Sequence, residues 1–290
     1  MSTASSAAPV TVVVPTIGAT ELLATCLRAI RSCEPPADEI LVVDQSGTDT
    51  VARLVEDAGG ERARLVPCSA RGTGTGTNLG LREARHETVL VTHDDCTVAP
   101  DWVGTATRLA SEDPTAIFTG RVLPAGDPRH VPSTKDDPAP QNYTGKAQRG
   151  ALYANNMVLN RRFALELGGF DDRVLFAEDD DFCYRWLRAG RRLRYEPVLV
   201  VWHHEWRSPA ELRRLYRRYY RGQGLMHAKH LRSGDLSVLR FLASDLYQGA
   251  RGQLAALVRG RPSWTDPRPR VWRGLLPGLV AGWRRFSLRS

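Results

Sequence analysis

Short apolar runs alternate with stretches of helical periodicity over the first half of the chain. Val10 to Val14 is a β-branched run that ends at Pro15-Thr16, and Glu39 to Val43 is an apolar run that ends at Asp44. A stretch in which apolar residues recur every three or four positions follows each run. Strands that alternate with helices predict an α/β fold with a Rossmann-like, doubly wound, mostly parallel sheet and helices on both faces.

The same alternation continues along the chain. Further strands are predicted over 64–67, 88–92, 151–159 and 198–202, and helices over 22–30, 51–58, 78–85, 102–110, 161–167 and 182–189. The segment Pro124 to Pro140 is rich in Pro, Gly and Asp, which is typical of a long loop, and Gly168-Gly169 predicts a turn.

Two adjacent carboxylates stand at the end of one predicted strand. Val89 to Thr92 leads directly into His93-Asp94-Asp95, and Asp44 ends an earlier strand. Ligands of open α/β sheets bind at the carboxyl ends of the strands. A divalent cation together with substrate phosphates would neutralise the pair, and a solvated acidic turn is the alternative interpretation.

A second acidic cluster, Glu178 to Asp181, opens a predicted helix. Acids in the first turn of a helix stabilise it through its dipole, which is one interpretation of the cluster. The cluster is also flanked by Phe176-Ala177 and Phe182, and an apolar setting raises the pKa of a carboxylate towards that of a general base. Both interpretations stay open at this point.

Two other segments carry residues that are common in binding sites. Arg71 to Asn78 is rich in glycine, but its spacing matches neither the dinucleotide loop nor the P-loop, so a flexible loop is predicted. His203 and His204 follow the last predicted strand, where either a structural role or a metal-ligand role is compatible with the sequence.

Composition indicates a globular protein. The chain has 290 residues, of which 42% are hydrophobic and 25% charged. Met1 to Pro9 lacks the features of a secretory signal and is predicted to be a disordered tail. No apolar stretch approaches the ~20 residues that span a bilayer, and the five scattered cysteines fit a reducing cytoplasm.

Positive charge is concentrated after position 204. Residues 205–290 contain 18 Lys or Arg and 5 Asp or Glu, so this part of the chain carries +13 and residues 1–204 carry −5. A basic segment of this kind binds nucleic acid, anionic lipid or a phosphorylated substrate.

Several short segments occur in a characteristic order. They are Val12–Thr16, Val42–Ser46, Arg71-Gly72, Asn78–Gly80, His93–Asp95, Ala154–Met157, Gly168–Asp171, Glu178-Asp179 and Val201–His203. In this order they resemble the family 2 glycosyltransferases of the GT-A fold. The resemblance covers residues 10–225 and implies a GT-A glycosyltransferase domain there, followed by a basic helical extension over 226–290.

The resemblance implies a donor site at the strand ends. Pro15, Thr16, Asp44 and Arg71, with Gly72 and Asp94, would hold the nucleotide-sugar, a derivative of UDP, GDP or dTDP. Asp95 would bind Mg²⁺ or Mn²⁺ on the diphosphate, with His203 as a second ligand. The metal would stabilise the departing nucleotide. Where the family often has the first Asp of its DxD motif, this chain has His93.

The resemblance also implies an inverting mechanism. Asp179 would take the proton from the acceptor hydroxyl as it attacks the anomeric carbon from the opposite face. Glu178 would position the acceptor or Asp179, and Gly168–Phe170 would shape the wall between donor and acceptor. The acceptor would be lipid-linked or a small secondary metabolite.

The region after His203 predicts a basic amphipathic helix, with Leu212, Leu215 and Tyr216 on its apolar stripe. Such a helix either lies at a membrane interface or packs on its own domain. The sequence therefore predicts a cytoplasmic enzyme with a peripheral contact at the inner face of the membrane and no nucleic-acid partner. The alternative functions are a non-catalytic sugar-nucleotide-binding protein with a lipid- or nucleic-acid-binding tail, and a sugar nucleotidyltransferase.

Overall fold

The computed structural model describes residues 8–18, 20–145, 151–258 and 271–286. Its strands are β1 Val10–Thr16, β2 Glu39–Asp44, β3 Ala63–Pro67, β4 Thr88–Val91, β5 Cys96–Val98, β6 Ile117–Ala125, β7 Gln141–Tyr143, β8 Met157–Asn160 and β9 Leu193–His204. Its α-helices are α1 Glu21–Arg31, α2 Asp49–Leu54, α3 Thr73–Glu83, α4 Trp102–Glu112, α5 Arg161–Glu166, α6 Glu178–Arg188, α7 Pro209–Arg232, α8 Leu239–Val258 and α9 Val271–Arg285. Most of the predicted disordered tail, residues 1–7, lies outside the described residues.

The strands form one sheet in the order β3-β2-β1-β4-β8-β6-β9-β5, with β7 beside β9. The first four strands of the chain pair in parallel, whereas β8 is antiparallel to β4 and β6, and β5 is antiparallel to β9. The predicted α/β fold with a mostly parallel sheet and a helical C-terminal region is confirmed. The parallel half brings the carboxyl ends of β1, β2 and β4 to the same edge.

The core explains why the parallel strands are continuously apolar. All seven residues of β1 and all six of β2 are buried, since helices cover this part of the sheet. Helix α1 begins where the Thr20 hydroxyl accepts from the backbone of Leu23, and its Leu23, Leu27 and Ile30 are fully buried. Burying each of these side chains contributes about 1.5–3 kcal/mol.

Some predicted elements differ from those observed. The glycine-rich segment predicted to be a flexible loop forms the first turns of α3, which begins at Thr73. Its glycines allow close approach: a Cβ at Gly80 would overlap Val13, and one at Gly76 would lie 3.0 Å from Pro15. Strand β9 starts at Leu193 instead of 198 because it pairs in parallel with β6, which pattern alone does not reveal.

The chain divides into two compact units. Unit 1 contains residues 1–126, 133–171 and 182–204, and unit 2 contains 127–132, 172–181 and 205–290. The sheet and the core belong to unit 1, whereas α7, α8 and α9 belong to unit 2. The boundary predicted at residue 225 stays a prediction, and α7 continues across that position.

Helices α7 and α9 of unit 2 pack closely through glycines. A Cβ at Gly274 would meet the carbonyl of Arg217 at 2.6 Å, and Gly278 and Gly282 are likewise tight against α7. Helix α8 joins them through a buried pair in which His227 Nε2 lies 2.8 Å from Asp245 Oδ2. No helix in the described ranges is long and apolar enough to cross a membrane.

Candidate active site

Three predicted donor-site residues meet at the carboxyl edge of the parallel strands. The Thr16 hydroxyl donates to Asp94 Oδ2 at 2.6 Å, and Thr16 lies beside Asp44 in the register of β1 and β2. Asp44 Oδ1 accepts from the backbone N–H of Ser46 at 2.8 Å, which forms a turn directly after β2. Thr16 and Asp44 are buried among protein atoms at the base of this edge.

Gln45 holds the loop that carries Arg71 and Gly72. Its side-chain amide donates to the carbonyls of Ala70 and Gly72, both at 2.9 Å, and so fixes the backbone on each side of Arg71. Gly72 has φ 137°, a conformation that favours glycine. Sequence reasoning did not assign Gln45 a role. Its position directly after a strand-end aspartate was the available signal.

Asp95 and His203 lie side by side, although 108 residues separate them. The antiparallel pairing of β5 with β9 sets Cys96 opposite His203, and His203 Nε2 is 3.3 Å from Asp95 Oδ2. Both side chains are buried. His204 faces differently: its Nε2 lies 3.0 Å from the Thr97 hydroxyl, and burial lowers its pKa.

Ligand atoms of Asp95, Cys96 and His203 lie within 4.8 Å of one another. Burial raises the pKa of the Cys96 thiol well above its usual value, and the Asp95 carboxylate adds to the effect. Thiol sulfur is a soft ligand, so Cys96 is a poor ligand for a hard cation such as Mg²⁺. The Asp95 carboxylate suits Mn²⁺ or Mg²⁺, provided that further oxygen ligands come from a diphosphate.

Asn78 fixes the glycine turn that follows α5. Its side-chain amide donates to the carbonyl of Phe170 at 2.7 Å, and its Oδ1 accepts from the backbone N–H of Phe170 at 2.8 Å. Gly169 has φ 66°, and a Cβ there would overlap the Asn78 side chain. Asn78, 92 positions before Phe170 in the chain, thus holds the predicted turn at Gly168-Gly169 in one conformation.

The four acids at the start of α6 have different surroundings. Asp181 is completely buried, and its carboxylate accepts from Lys229 Nζ at 2.8 and 2.9 Å and lies 2.9 Å from His230 Nε2. This ion-paired network gives Asp181 a structural role in unit 2. It connects the acidic helix start to α7.

Asp179 differs because its charge is not compensated in this way. Desolvation raises its pKa well above the usual value for an aspartate, and the neighbouring charges of Asp180 and Glu178 raise it further. The pKa of Glu178 is raised as well, mainly by desolvation, and its buried Oε2 has no hydrogen-bond partner in the described residues. A carboxylate with a raised pKa is suited to accept a proton near neutral pH.

The backbone just before these acids is strained. Phe176 has φ 66°, which is unfavourable for a residue with a side chain. The segment Leu175–Ala177 passes directly over Gly222 of α7, where a Cβ would lie 2.8 Å from the carbonyl carbon of Phe176. Gly222 therefore permits the approach that holds Glu178 and Asp179 in place within unit 2.

The predicted site residues fall into two groups. Pro15, Thr16, Asp44, Arg71, Gly72, Asp94, Asp95 and His203 belong to unit 1, where the carboxyl ends of the strands and the loops that follow them bring them together. Glu178 and Asp179 belong to unit 2. The predicted roles of these residues stay predictions.

These unit 1 residues lie at the carboxyl ends of strands, which is where open α/β sheets bind their ligands. The model of the family described as "Glycosyltransferase like family 2" matches residues 7–222. The chain belongs to this family, and its domain is that of a glycosyl-transfer enzyme.

Solved structures share the GT-A fold. The mannosyltransferase PcManGT from Pyrobaculum calidifontis, in complex with GDP-Man and Mn²⁺, is 22% identical with a TM-score of 0.67, covering 96% of this chain and 88% of that one. S. aureus TarS residues 1–349, in complex with UDP-GlcNAc, is 15% identical with a TM-score of 0.59, covering 96% and 92%. At these identities the likeness concerns the fold.

Two kinds of relative are similar in sequence. The O-antigen chain rhamnosyltransferase RfbN of Salmonella typhimurium is 24% identical over 231 residues, which are 76% of this chain and 72% of the relative. The pre-mycofactocin glycosyltransferase of Mycobacterium tuberculosis is 50% identical over 38 residues, which are 13% of this chain and 8% of the relative. The match thus spans a small part of the mycobacterial protein.

Proposed function

We propose that this chain transfers a sugar, with inversion, from a nucleoside-diphosphate sugar to an acceptor hydroxyl. The observation that carries the proposal is the buried contact between Asp95 and His203, next to the Thr16–Asp94 hydrogen bond at the edge of the parallel strands. It unites residues from three distant parts of the chain in one polar cluster on a glycosyltransferase fold.

Donor binding is assigned to unit 1. Pro15, Thr16 and Asp44 would contact the base and ribose, and Arg71-Gly72, held by Gln45, would lie against the nucleotide together with Asp94. Asp95 and His203 would hold Mg²⁺ or Mn²⁺. When bound, such a cation neutralises charge that develops on the departing diphosphate. Phosphate oxygens would complete the ligand set that the two side chains begin.

Proton transfer is assigned to Asp179. Its carboxylate would take the proton of the acceptor hydroxyl while the hydroxyl oxygen forms a bond to the anomeric carbon. The bond from that carbon to the diphosphate oxygen breaks in the same step, and the nucleoside diphosphate carries away the electron pair. Attack from the face opposite to the leaving group inverts the configuration. Glu178 would orient Asp179 or the acceptor.

The donor is a derivative of UDP, GDP or dTDP under this proposal. GDP-Man and UDP-GlcNAc are bound by the two structural neighbours above, which supports a nucleotide-sugar donor for this chain too. RfbN is an O-antigen chain rhamnosyltransferase, which favours a lipid-linked acceptor over a small secondary metabolite. A peripheral membrane contact through the basic helices of unit 2 fits that acceptor.

Product analysis tests the proposal. The purified chain is incubated with Mn²⁺ and a panel of UDP, GDP and dTDP sugars, in the presence of lipid-linked saccharides or soluble hydroxyl acceptors. Release of nucleoside diphosphate that depends on the acceptor supports glycosyl transfer. Pyrophosphate release from a nucleoside triphosphate plus a sugar phosphate would indicate nucleotidyl transfer instead. Nucleotide binding without turnover for every donor and acceptor would indicate a binding protein.

A further inference from the structure

Four arginines of unit 2 line one pocket. Arg213, Arg214 and Arg217 project from α7 and Arg273 from α9, and with Ala210 they enclose about 370 Å³. All four are exposed. Within the described residues no carboxylate forms an ion pair with any of them.

The nearest acid in sequence is engaged elsewhere. The Glu211 carboxylate accepts from both the backbone N–H and the hydroxyl of Ser208, at 2.8 and 2.6 Å, as part of the capping box that starts α7. The Arg214 charge also helps to lower the pKa of Glu211, after the hydrogen bonds from Ser208. One carboxylate does not balance four guanidinium groups around one pocket, so these groups repel each other. An anion in the pocket would relieve that repulsion.

Phosphate is the anion that best matches this pocket. Guanidinium groups bind phosphate oxygens through paired N–H donors, and several of them around one cavity contact several oxygens at once. Ala210 lies in the first turn of α7, and the positive end of that helix dipole adds to the attraction.

An exposed apolar stripe begins at the same pocket. On α9, Leu276, Val280 and Trp283 follow Arg273 at intervals of three and four residues, so all four share one helix face. Leu276 is 48% exposed, and Val280 and Trp283 are each 54% exposed. The opposite face of α9 packs on α7 through glycines. Of the stripe, Trp283 also contacts α7, because the guanidinium of Arg232 lies 4.9 Å from the centre of its ring, yet about half of the Trp283 side chain stays exposed.

We propose that the four-arginine pocket binds the phosphate of an anionic lipid headgroup, and that the stripe of Leu276, Val280 and Trp283 enters the outer part of the acyl region. A headgroup phosphate joined to acyl chains is the ligand that matches an arginine pocket continuous with an apolar stripe. The inference deepens the membrane contact proposed above and rests on it. It does not depend on glycosyl transfer.

Vesicle co-sedimentation in the absence of any nucleotide-sugar tests the inference. Wild type is compared on phosphatidylcholine vesicles with and without 30% phosphatidylglycerol, a composition of about one anionic lipid in three. The pocket variant is R213Q/R217Q. Its matched control is R28Q/R108Q, which removes the same charge from exposed helices of unit 1. Circular dichroism melting confirms that each variant is folded.

We expect wild type to bind the anionic vesicles, and binding to weaken about fivefold for each pocket arginine removed, or about 25-fold for R213Q/R217Q. The control should change binding by less than about twofold. Fluorescence quenching of Trp283 by brominated acyl chains should occur and disappear in W283F. Equal losses in the pocket variant and the control would overturn the inference.

Two further experiments test whether the arginine pocket binds a different ligand. In the first, inorganic phosphate or pyrophosphate is titrated and binding is measured by thermal shift. If these anions bind through Arg213 and Arg217 but the protein does not bind vesicles, the lipid assignment is overturned. Binding of single-stranded RNA or duplex DNA that needs the same arginines, again without vesicle binding, would overturn it in favour of nucleic acid. If the wild-type protein does not bind anionic vesicles but does transfer glycosyl groups, this inference is refuted and the proposed function is not.

Discussion

The ammonium group of Lys229 donates to both carboxylate oxygens of Asp181, at 2.8 and 2.9 Å. Asp181 is fully buried, and His230 lies on the same carboxylate. Two residues earlier, desolvation and neighbouring acids raise the pKa of Asp179. One acidic run thus contains a compensated structural carboxylate and an uncompensated one suited to proton transfer, and the neighbours of each determine the difference.

Lys229→Met should destabilise the protein by about 3 kcal/mol, because it leaves a buried carboxylate without its principal cation. Urea unfolding at pH 8 measures the free energy of unfolding. Arg28→Met is the control, since its partner Glu21 is 86% exposed and such a pair contributes about 1 kcal/mol or less.

The double variant Asp181→Asn/Lys229→Met checks the cause. Removing both charges should recover part of the free energy of unfolding that Lys229→Met loses, because no uncompensated charge stays buried. The single variant Asp181→Asn is measured as well. If the double variant loses as much free energy of unfolding as Lys229→Met and Asp181→Asn lose together, the pair does not interact as the distances indicate.

Asp179→Asn should reduce turnover by about 10²–10⁴ while leaving donor affinity near that of wild type. Asparagine keeps the shape of the side chain but cannot accept the proton. Turnover at saturating donor and acceptor is measured beside donor affinity. A variant with a tenth or more of wild-type turnover would contradict the role of Asp179 and direct attention to Glu178.

The same substitution should also change how stability depends on pH. An acid whose pKa is raised by folding contributes stability below its unfolded pKa, about 3.9. That contribution is lost as the pH rises through the higher folded value. Asp179→Asn should therefore raise the melting temperature at pH 8 and leave it nearly unchanged at pH 4. Asp49→Asn, which removes an exposed carboxylate at another helix start, is the matched control.

Asp95→Ala should abolish the part of donor affinity that requires Mn²⁺, because this carboxylate is the proposed link between protein and cation. Titration of nucleoside diphosphate with and without Mn²⁺ separates the two parts. Asp101→Ala, an exposed acid outside the polar cluster, should leave both unchanged. Metal-enhanced affinity that survives in Asp95→Ala would rule out this assignment.

Asp44→Ala should weaken nucleotide binding equally with and without metal, since the proposed contact is to base or ribose. Asp44 Oδ1 also supports the turn at Ser46, so Asp44→Asn is the informative comparison. Asparagine keeps an oxygen that can accept from Ser46. Any loss of nucleotide affinity in Asp44→Asn therefore comes from removing the carboxylate charge and not from disturbing the turn. A loss that appears only when Mn²⁺ is present would place Asp44 on the metal instead.

The parallel half of the sheet follows from local patterns in the amino-acid sequence. Val10 to Val14 and Glu39 to Val43 are apolar at every position except Thr11 and Glu39, and polar residues follow directly, so each strand and its functional loop are local in sequence. The ordered motifs also identified the family, which the match over residues 7–222 confirms. Periodicity and order are properties of neighbouring residues, and they need no knowledge of distant contacts.

Contacts between distant segments depend on how the chain folds in three dimensions. The register of β5 on β9 places His203 beside Asp95, and no periodicity in the chain encodes that pairing. Gly76 and Gly80 lie inside α3 despite their low helix propensity, because close packing on β1 requires residues without a Cβ. Likewise Lys229 neutralises Asp181, and not Asp179, because a carboxylate's partners depend on which helices pack together.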